Sequence, residues 1–188
     1  MKMSDYFPGN GQVVTGTNKA RSYDGDYMAV GKKGEEVVMA WLASRPYVIG
    51  VDDLRQLRVM READVDCSFS LSDGRVALAE IKTDQHLGKS GNILFEILRV
   101  NHTAPTDRAG VLGWSLRSPA TWLLYYAPAV AMIYQLRFAD FRAGFQRYTA
   151  VARERSRQIW VNTDQIKSTL NVLVPESYFP TLLKHPLS

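Results

Sequence analysis

The 188-residue sequence has little of several features that would place it in other classes of protein. Its single cysteine, Cys67, excludes an intramolecular disulfide. It contains no run of about 18 apolar residues, the length that a membrane-spanning helix needs, and no recognisable signal peptide. Internal repeats and linker-like stretches are also missing. We therefore expect a cytoplasmic protein with no membrane partner.

The composition is that of a folded protein with a mild positive charge. Hydrophobic residues make up 46% and charged residues 22%, which argues against wholesale disorder. The net charge of +4 suits a polyanionic partner, although charge alone does not establish one. We expect residues 1–26, rich in Gly, Asn, Ser and Thr, to form a loose arm. Residues 27–188 are then a single domain with a C-terminal extension.

Apolar spacing predicts a mixture of helices and strands. Residues 32–44 carry apolar side chains three and four apart, as an amphipathic helix does, and residues 139–148 repeat that pattern. Residues 121–126 and 129–138 are apolar runs rich in Tyr and Trp, which favours strands. Residues 92–99 are compatible with a third strand of the sheet or with a short helix. The pattern predicts an α/β fold, with a central mixed β-sheet flanked by helices.

A hairpin is predicted in the middle of this pattern. Residues 64–71 alternate between apolar and polar side chains, as a half-buried strand does, and residues 75–83 form a second, more apolar strand. Ser72-Asp73-Gly74 lies between them. A three-residue loop that ends in a left-handed Gly74 places Asp66 directly opposite Glu80, whereas a two-residue loop would point them apart. The position of the glycine favours the three-residue loop.

In that register three charged groups converge on one face. Lys82 follows Glu80 on the same side because strand side chains alternate with a period of two. Two carboxylates about 5 Å apart repel each other unless a cation lies between them, and hard oxygen ligands suit Mg²⁺ or Mn²⁺. Glu80 also interrupts an apolar strand, where an unpartnered carboxylate costs several kcal/mol. The alternative is that Asp66 and Glu80 are solvated charges that pair with Lys82.

These motifs resemble the PD-(D/E)XK nuclease superfamily. Its core is a helix that bears an acid, followed by a hairpin that carries Asp and then Glu-x-Lys. Here Gly31-Lys32-Lys33-Gly34-Glu35 is similar to the first motif, Asp66 stands in the position of the Asp, and Glu80-Ile81-Lys82 matches Glu-x-Lys. The likeness covers residues 31–96, includes uncharacterised phage and bacterial members, and departs from the pattern at Val65, where the superfamily name has Pro.

The resemblance implies a restriction-endonuclease-like fold and a set of roles for residues. Asp66, Glu80 and the backbone carbonyl of Ile81 would hold Mg²⁺ or Mn²⁺, with Lys82 near the nucleophilic water. Glu35 would bind a second metal or act through water. Asp64 remains a rival to Asp66, because the predicted strand places both on one face.

Further polar residues are candidates for contacts with substrate. Lys89 and Asn92 belong to a polar loop that leaves the second hairpin strand, and Arg61 lies in the polar connection before the hairpin. Glu96, in an apolar run, is either a further acid of the site or satisfied core polarity. Cys67 is expected to be a small core residue.

Together these observations predict a Mg²⁺-dependent phosphodiesterase that hydrolyses nucleic acid, DNA in preference to RNA, in a bacterial or phage-infected cell. Many members of the superfamily dimerise, so a homodimer is compatible with the resemblance. Two alternatives stay open. One is a catalytically inactive protein of nuclease fold that binds nucleic acid, and the other is a phage or mobile-element protein that acts through protein contacts.

Overall fold

A computed structural model describes residues 26–101, 110–151, 158–162 and 167–187. The predicted arm thus lies outside the described residues, apart from Asp26. The helices are α1 (Asp26–Ala43), α2 (Arg58–Glu62), α3 (Leu87–Ser90), α4 (Trp114–Arg117) and α5 (Phe138–Val151). The strands are β1 (Val48–Asp53), β2 (Cys67–Leu71), β3 (Val76–Thr83), β4 (Asn92–Asn101), β5 (Gly110–Leu112), β6 (Trp122–Ala127), β7 (Met132–Arg137), β8 (Gln158–Asn162), β9 (Lys167–Pro175) and β10 (Leu183–Pro186). Among these helices, none combines the length and apolar character needed to cross a membrane.

The strands form two sheets. The larger has the order β1-β2-β3-β6-β7-β10, and it is mixed because β3 and β6 run parallel while its other neighbours are antiparallel. The smaller sheet, β5-β4-β9-β8, is antiparallel throughout. The predicted α/β class with a central mixed sheet is confirmed. The placement of residues 92–99 as a third strand of the hairpin's sheet is wrong, because β4 pairs with β9 and β5 in the smaller sheet.

The hairpin has the predicted three-residue loop. The Leu71 N–H donates to the Arg75 carbonyl at 2.8 Å, and Gly74 adopts a left-handed φ of 85°. Four pairs of residues then face each other, from Ser70 and Val76 to Cys67 and Ala79. This confirms the predicted register.

The first hairpin strand is shorter than predicted, because it begins at Cys67 and not at Asp64. Asp64 has a left-handed φ of 55°, which ends the extended backbone that strand alternation requires. Val65 therefore packs in a different apolar cluster from Cys67, although the alternation predicted a shared face.

Helix α1 covers one face of the larger sheet. It buries Val38, Trp41 and Leu42, whose spacing of three and one places them on one side of the helix, against Cys67 and Ile81 of the sheet. This confirms the predicted helix, which starts six residues earlier than the pattern indicated.

The other face of the larger sheet packs against α5 and the smaller sheet. Aromatic side chains dominate there: Phe95 of β4 stacks on Phe145 of α5 with ring centroids 3.8 Å apart. Trp114 of α4 stacks on Phe141 of α5 at 5.7 Å. The larger sheet is thus buried on both faces, and every polar group on β3 must find a partner or a use.

Candidate active site

Glu80 and Lys82 lie on the face of β3 that points away from α1. Ala79 and Ile81 belong to the apolar cluster under α1, so alternation sends Glu80 and Lys82 to the opposite side. Glu80 is only 2% exposed, and its Oε1 forms an ion pair with the Lys82 ammonium. Its Oε2 is buried without a hydrogen-bond partner in the part of the chain that the structure describes. The site therefore contains a carboxylate oxygen that is free to accept.

Asp66 reaches the same strand from the end of β2. Its Oδ2 accepts a hydrogen bond from the Ile81 N–H at 2.7 Å, and its own N–H donates to the Ala79 carbonyl at 2.9 Å. The ladder ends at Cys67 and Ala79, one step before the predicted pairing of Asp66 with Glu80. The Asp66 carboxylate consequently lies beside the amide of Ile81.

The electrostatics of these groups are coupled. Burial raises the pKa of Glu80 from 4.5 to about 8, against the lowering effect of Lys82 and with a further rise from the charge of Asp66. For Lys82 burial works to lower the pKa, but the negative charges of Glu80 and Asp66 outweigh it and the pKa rises. Lys82 is thus held as a cation, while the ionised form of Glu80 lacks a full set of partners.

Asp64, the rival first carboxylate, has its charge matched by an arginine. Its Oδ2 accepts from the Arg117 Nε at 2.5 Å, and its backbone carbonyl accepts from the Ser118 hydroxyl at 2.6 Å. The Arg117 side chain comes from α4, 53 residues away in sequence. Of the two aspartates, Asp66 contacts the Glu-x-Lys strand directly and Asp64 is held by α4.

Glu35 is engaged in an ion network next to the hairpin. Its carboxylate accepts from Arg55 at 2.6 Å, and the same guanidinium binds Asp53 at the end of β1 with an Nε–Oδ1 distance of 2.8 Å. These bonds raise the pKa of Arg55, with that to Asp53 contributing most. The network ties α1 to the end of β1, and the catalytic role of Glu35 stays a prediction.

The donor set suits a hard divalent cation. Within the described ranges, no three His, Cys, Asp or Glu side chains lie close enough to hold a metal together. Mg²⁺, however, binds proteins through one or two carboxylates and keeps several waters. Asp66 and Glu80 are the carboxylates that could hold such a cation here. The Ile81 carbonyl points to the same side of its strand as the Ile81 N–H, which is the side of Asp66.

Trp114 is a contact of the site that the sequence did not reveal. The Lys82 Nζ lies 4.8 Å from the centroid of the Trp114 ring. The Trp114 N–H donates to the Glu96 Oε1 at 3.3 Å, and Arg99 approaches the same oxygen at 3.3 Å. Glu96 is therefore buried core polarity with partners, one of its two predicted roles. Nothing in the local pattern around Trp114 signals a contact with a strand 32 residues earlier.

The residues predicted to contact nucleic acid are not bonded to the carboxylates within the described structure. Lys89 is exposed on α3, Arg61 is exposed on α2, and the Asn92 side chain donates to the Ser90 carbonyl in its own turn at 2.8 Å. No hydrogen bond or ion pair within the described residues joins them to Glu80 or Lys82. Their role stays a prediction.

Cys67 is a core residue on the opposite face of the hairpin, as expected. It is fully buried, and burial raises the pKa of its thiol to about 12. A thiol in that state is a poor nucleophile.

Comparison with known proteins gives one similarity of structure. No family model matches the chain, and no curated protein does. Among solved structures, the chain is similar to the structure of a bacterial homing endonuclease, I-Ssp6803I, with 15% sequence identity and a TM-score of 0.45. The match covers 62% of this chain and 72% of that chain.

Proposed function

We propose that this chain is a divalent-metal-dependent nuclease that hydrolyses phosphodiester bonds in nucleic acid, DNA in preference to RNA. The Glu80 carboxylate carries the proposal. It is 2% exposed on a central strand, with one oxygen paired to Lys82 and the other without a partner among the described residues. An ionised carboxylate buried this deeply destabilises the fold unless its charge is fully compensated, and Lys82 engages only one of its two oxygens. Mg²⁺ or Mn²⁺ is the cation that such oxygen donors prefer.

The roles of the residues follow from their contacts. Asp66, Glu80 and the Ile81 carbonyl would hold the cation. When bound, the cation supplies Lewis-acid polarisation of a phosphoryl oxygen and activation of water. Lys82 stays protonated because its neighbours raise its pKa, so it acts as a fixed positive charge beside the phosphate and not as a general base. Asp66 also accepts from the Ile81 N–H, which orients its carboxylate.

A purely structural ion pair is the simplest alternative explanation of Glu80 and Lys82. A buried pair that serves only the fold is expected to satisfy both carboxylate oxygens, because an unsatisfied acceptor costs about 1–3 kcal/mol. Here the second oxygen has no partner in the described structure. That orphaned oxygen favours a ligand over a scaffold role.

The test is a cleavage assay on plasmid, single-stranded DNA and RNA, with Mg²⁺, with Mn²⁺ and with EDTA. We expect metal-dependent cleavage of DNA that falls by roughly 10²–10³-fold in Asp66→Asn, Glu80→Gln and Lys82→Met, the size of effect that loss of one charge-stabilising group produces. Asp64→Asn is the matched control, since it removes an equal charge from a carboxylate held by Arg117. We expect it to retain activity within about tenfold.

Two results would contradict the proposal. Cleavage that persists in EDTA would remove the role of the cation. Nucleic-acid binding without cleavage, unchanged in the Lys82→Met variant, would identify a binding protein that keeps the fold without catalysis. Calorimetry with Mg²⁺ alone, on wild type and Asp66→Asn, measures the cation site independently of activity.

A further inference from the structure

We propose that Trp114 is a positioning residue that holds the ammonium of Lys82 in place when a cation occupies Glu80. This inference rests on the proposed function. It starts from the cation–π contact between the Lys82 Nζ and the face of the Trp114 ring, 4.8 Å from its centroid. The face of an indole ring carries partial negative charge and attracts an ammonium, most strongly where water is excluded.

The Trp114 ring is itself held on several sides. The side chain is 3% exposed, and its plane lies within 5° of that of Phe141 at a centroid distance of 5.7 Å. Phe138 and Tyr125 meet it edge-on, each with a centroid distance of 6.3 Å. A ring packed in this way cannot turn away from Lys82 without opening the aromatic core.

The backbone of Trp114 is fixed as well. Its N–H donates to the Glu96 carboxylate at 3.3 Å, and the N–H of Gly113 donates to the Ile97 carbonyl at 2.8 Å. A Cβ added at Gly113 would lie 2.3 Å from the Glu96 carbonyl oxygen, a distance that atoms do not tolerate. The close approach requires glycine at position 113 and locks α4 onto β4.

Lys82 thus has two partners of different kinds. Its ion pair uses Oε1 of Glu80, the carboxylate whose other oxygen, Oε2, would bind the cation. The ring of Trp114 is neutral and does not bind the cation. A metal bound to Glu80 weakens the ion pair between Glu80 and Lys82. The contact with the Trp114 ring then keeps the Lys82 side chain, which is 30% exposed, from moving into solvent. A fixed ammonium stabilises developing negative charge better than a mobile one because no reorganisation is needed.

The experiment compares Trp114→Phe and Trp114→Leu with Phe145→Leu. The control truncates a core aromatic of the same cluster that stacks on Phe95 and not on Trp114. The first readout is the NMR shift of the Lys82 ε-methylene in ¹³C-lysine-labelled protein, assigned with Lys82→Met. We expect an upfield ring-current shift in the wild type that persists when Mg²⁺ is added. It should shrink in Trp114→Phe, vanish in Trp114→Leu and stay unchanged in Phe145→Leu.

The second readout is the single-turnover cleavage rate on DNA at saturating Mg²⁺. We expect Trp114→Leu to slow cleavage about tenfold, with Mg²⁺ affinity by calorimetry unchanged, and Trp114→Phe to stay within about threefold because a benzene ring still offers a π face. The tenfold loss corresponds to one weak cation–π contact.

The outcomes separate this inference from the proposed function. A Lys82 shift that is the same in wild type and Trp114→Leu overturns it, as does a slowing in Trp114→Leu no greater than in Phe145→Leu. A wild type that never cleaves, yet shows the Trp114-dependent shift with Mg²⁺, contradicts the nuclease while leaving the attachment of Lys82 supported. If Trp114→Leu does not fold, the test rests on Trp114→Phe. A smaller ring-current shift of the Lys82 ε-methylene in that variant supports the inference, and an unchanged shift overturns it.

Discussion

Ile81 and Glu80 lie on opposite faces of β3 and are equally buried, but burial has opposite effects on the two side chains. Ile81, under α1, is 2% exposed and lies in a hydrophobic cluster. Glu80, on the other face, is also 2% exposed but carries an oxygen without a partner in the described chain. Burial of Ile81 stabilises the fold by roughly 1.5–3 kcal/mol, whereas burial of a carboxylate opposes it. A buried carboxylate that lowers the stability of the fold is best explained by a function that requires it.

The largest effect expected from this contrast is a gain in stability on neutralising Glu80. The pKa of Glu80 is about 8 in the folded protein against an ordinary 4.5, so the folded state binds this proton more tightly than the unfolded chain does. The wild type therefore loses stability as the pH rises from about 4.5 to 8. Glu80→Gln lacks that titration, and at pH 9 we expect it to be more stable by roughly a few kcal/mol.

Urea denaturation of wild type and Glu80→Gln at pH 4.5, 7 and 9 checks this expectation. The difference should be small at pH 4.5, the ordinary pKa of the glutamate, and largest at pH 9, above the pKa of about 8 in the folded protein. Mg²⁺ at pH 9 should restore stability to the wild type but not to the variant, because a ligand that binds only the folded state stabilises it. A variant that is less stable than wild type at pH 9 would show that the ion pair with Lys82 outweighs the cost of burial.

On the apolar face the expected effect is smaller and of opposite sign. A Cβ at Gly34 of α1 would lie 1.9 Å from the Thr83 Oγ1 of β3, so Gly34→Ala must push the helix or the strand aside. We expect a loss of about 1–3 kcal/mol in the free energy of unfolding. Gly31→Ala is the matched control on the same helix, with nothing within 4 Å of the added carbon. It should stabilise by up to about 1 kcal/mol through helix propensity.

Urea denaturation gives the free energy of unfolding of both variants. The difference between them measures how closely α1 packs against β3. Equal effects at both positions would mean that α1 does not approach β3 as closely as the Gly34 contact indicates. A Cβ at Gly31 meets nothing within 4 Å, so Gly31→Ala should leave metal-dependent cleavage near the wild-type rate.

The smallest effect concerns Cys67, which lies on the apolar face next to Asp66. Its thiol is fully buried with a pKa of about 12, so the reactive thiolate is scarce at pH 8. We expect an alkylating reagent at pH 8 to leave the folded protein unlabelled and to label the urea-unfolded chain completely. Mass spectrometry measures the extent of Cys67 labelling over time. Rapid labelling of the native protein would show that α1 separates readily from the sheet.

Local features of the fold were predictable from the sequence, and long-range pairing was not. The hairpin register follows from Gly74, because one left-handed residue fixes the loop length and with it every facing pair. The strand at 92–99 was recognisable as a candidate, but its sheet was not. β4 pairs with β9, about 75 residues later, and apolar alternation carries no information about which strand is the neighbour.

The same limit applies to the site. The shared face of Glu80 and Lys82 was predictable because strand side chains repeat every two residues, and the approach of Asp66 to β3 because the loop length was readable. The partners of the acids arrive from distant elements: Arg117 from α4 holds Asp64, and Arg55 holds Glu35. Such contacts depend on how α4 and α1 dock, which no local pattern specifies.

The parallel pairing of β3 with β6 has a consequence for the order of folding. The hairpin β2–β3 is local and closes within about 15 residues, but β6 pairs with β3 only after the intervening chain, with β4, β5 and α4, has been placed. Contacts between residues far apart in sequence form slowly because the loop must close first. The strand that bears Glu80 and Lys82 therefore acquires its second neighbour late, and a nascent chain that ends before β6 leaves that edge of β3 unpaired.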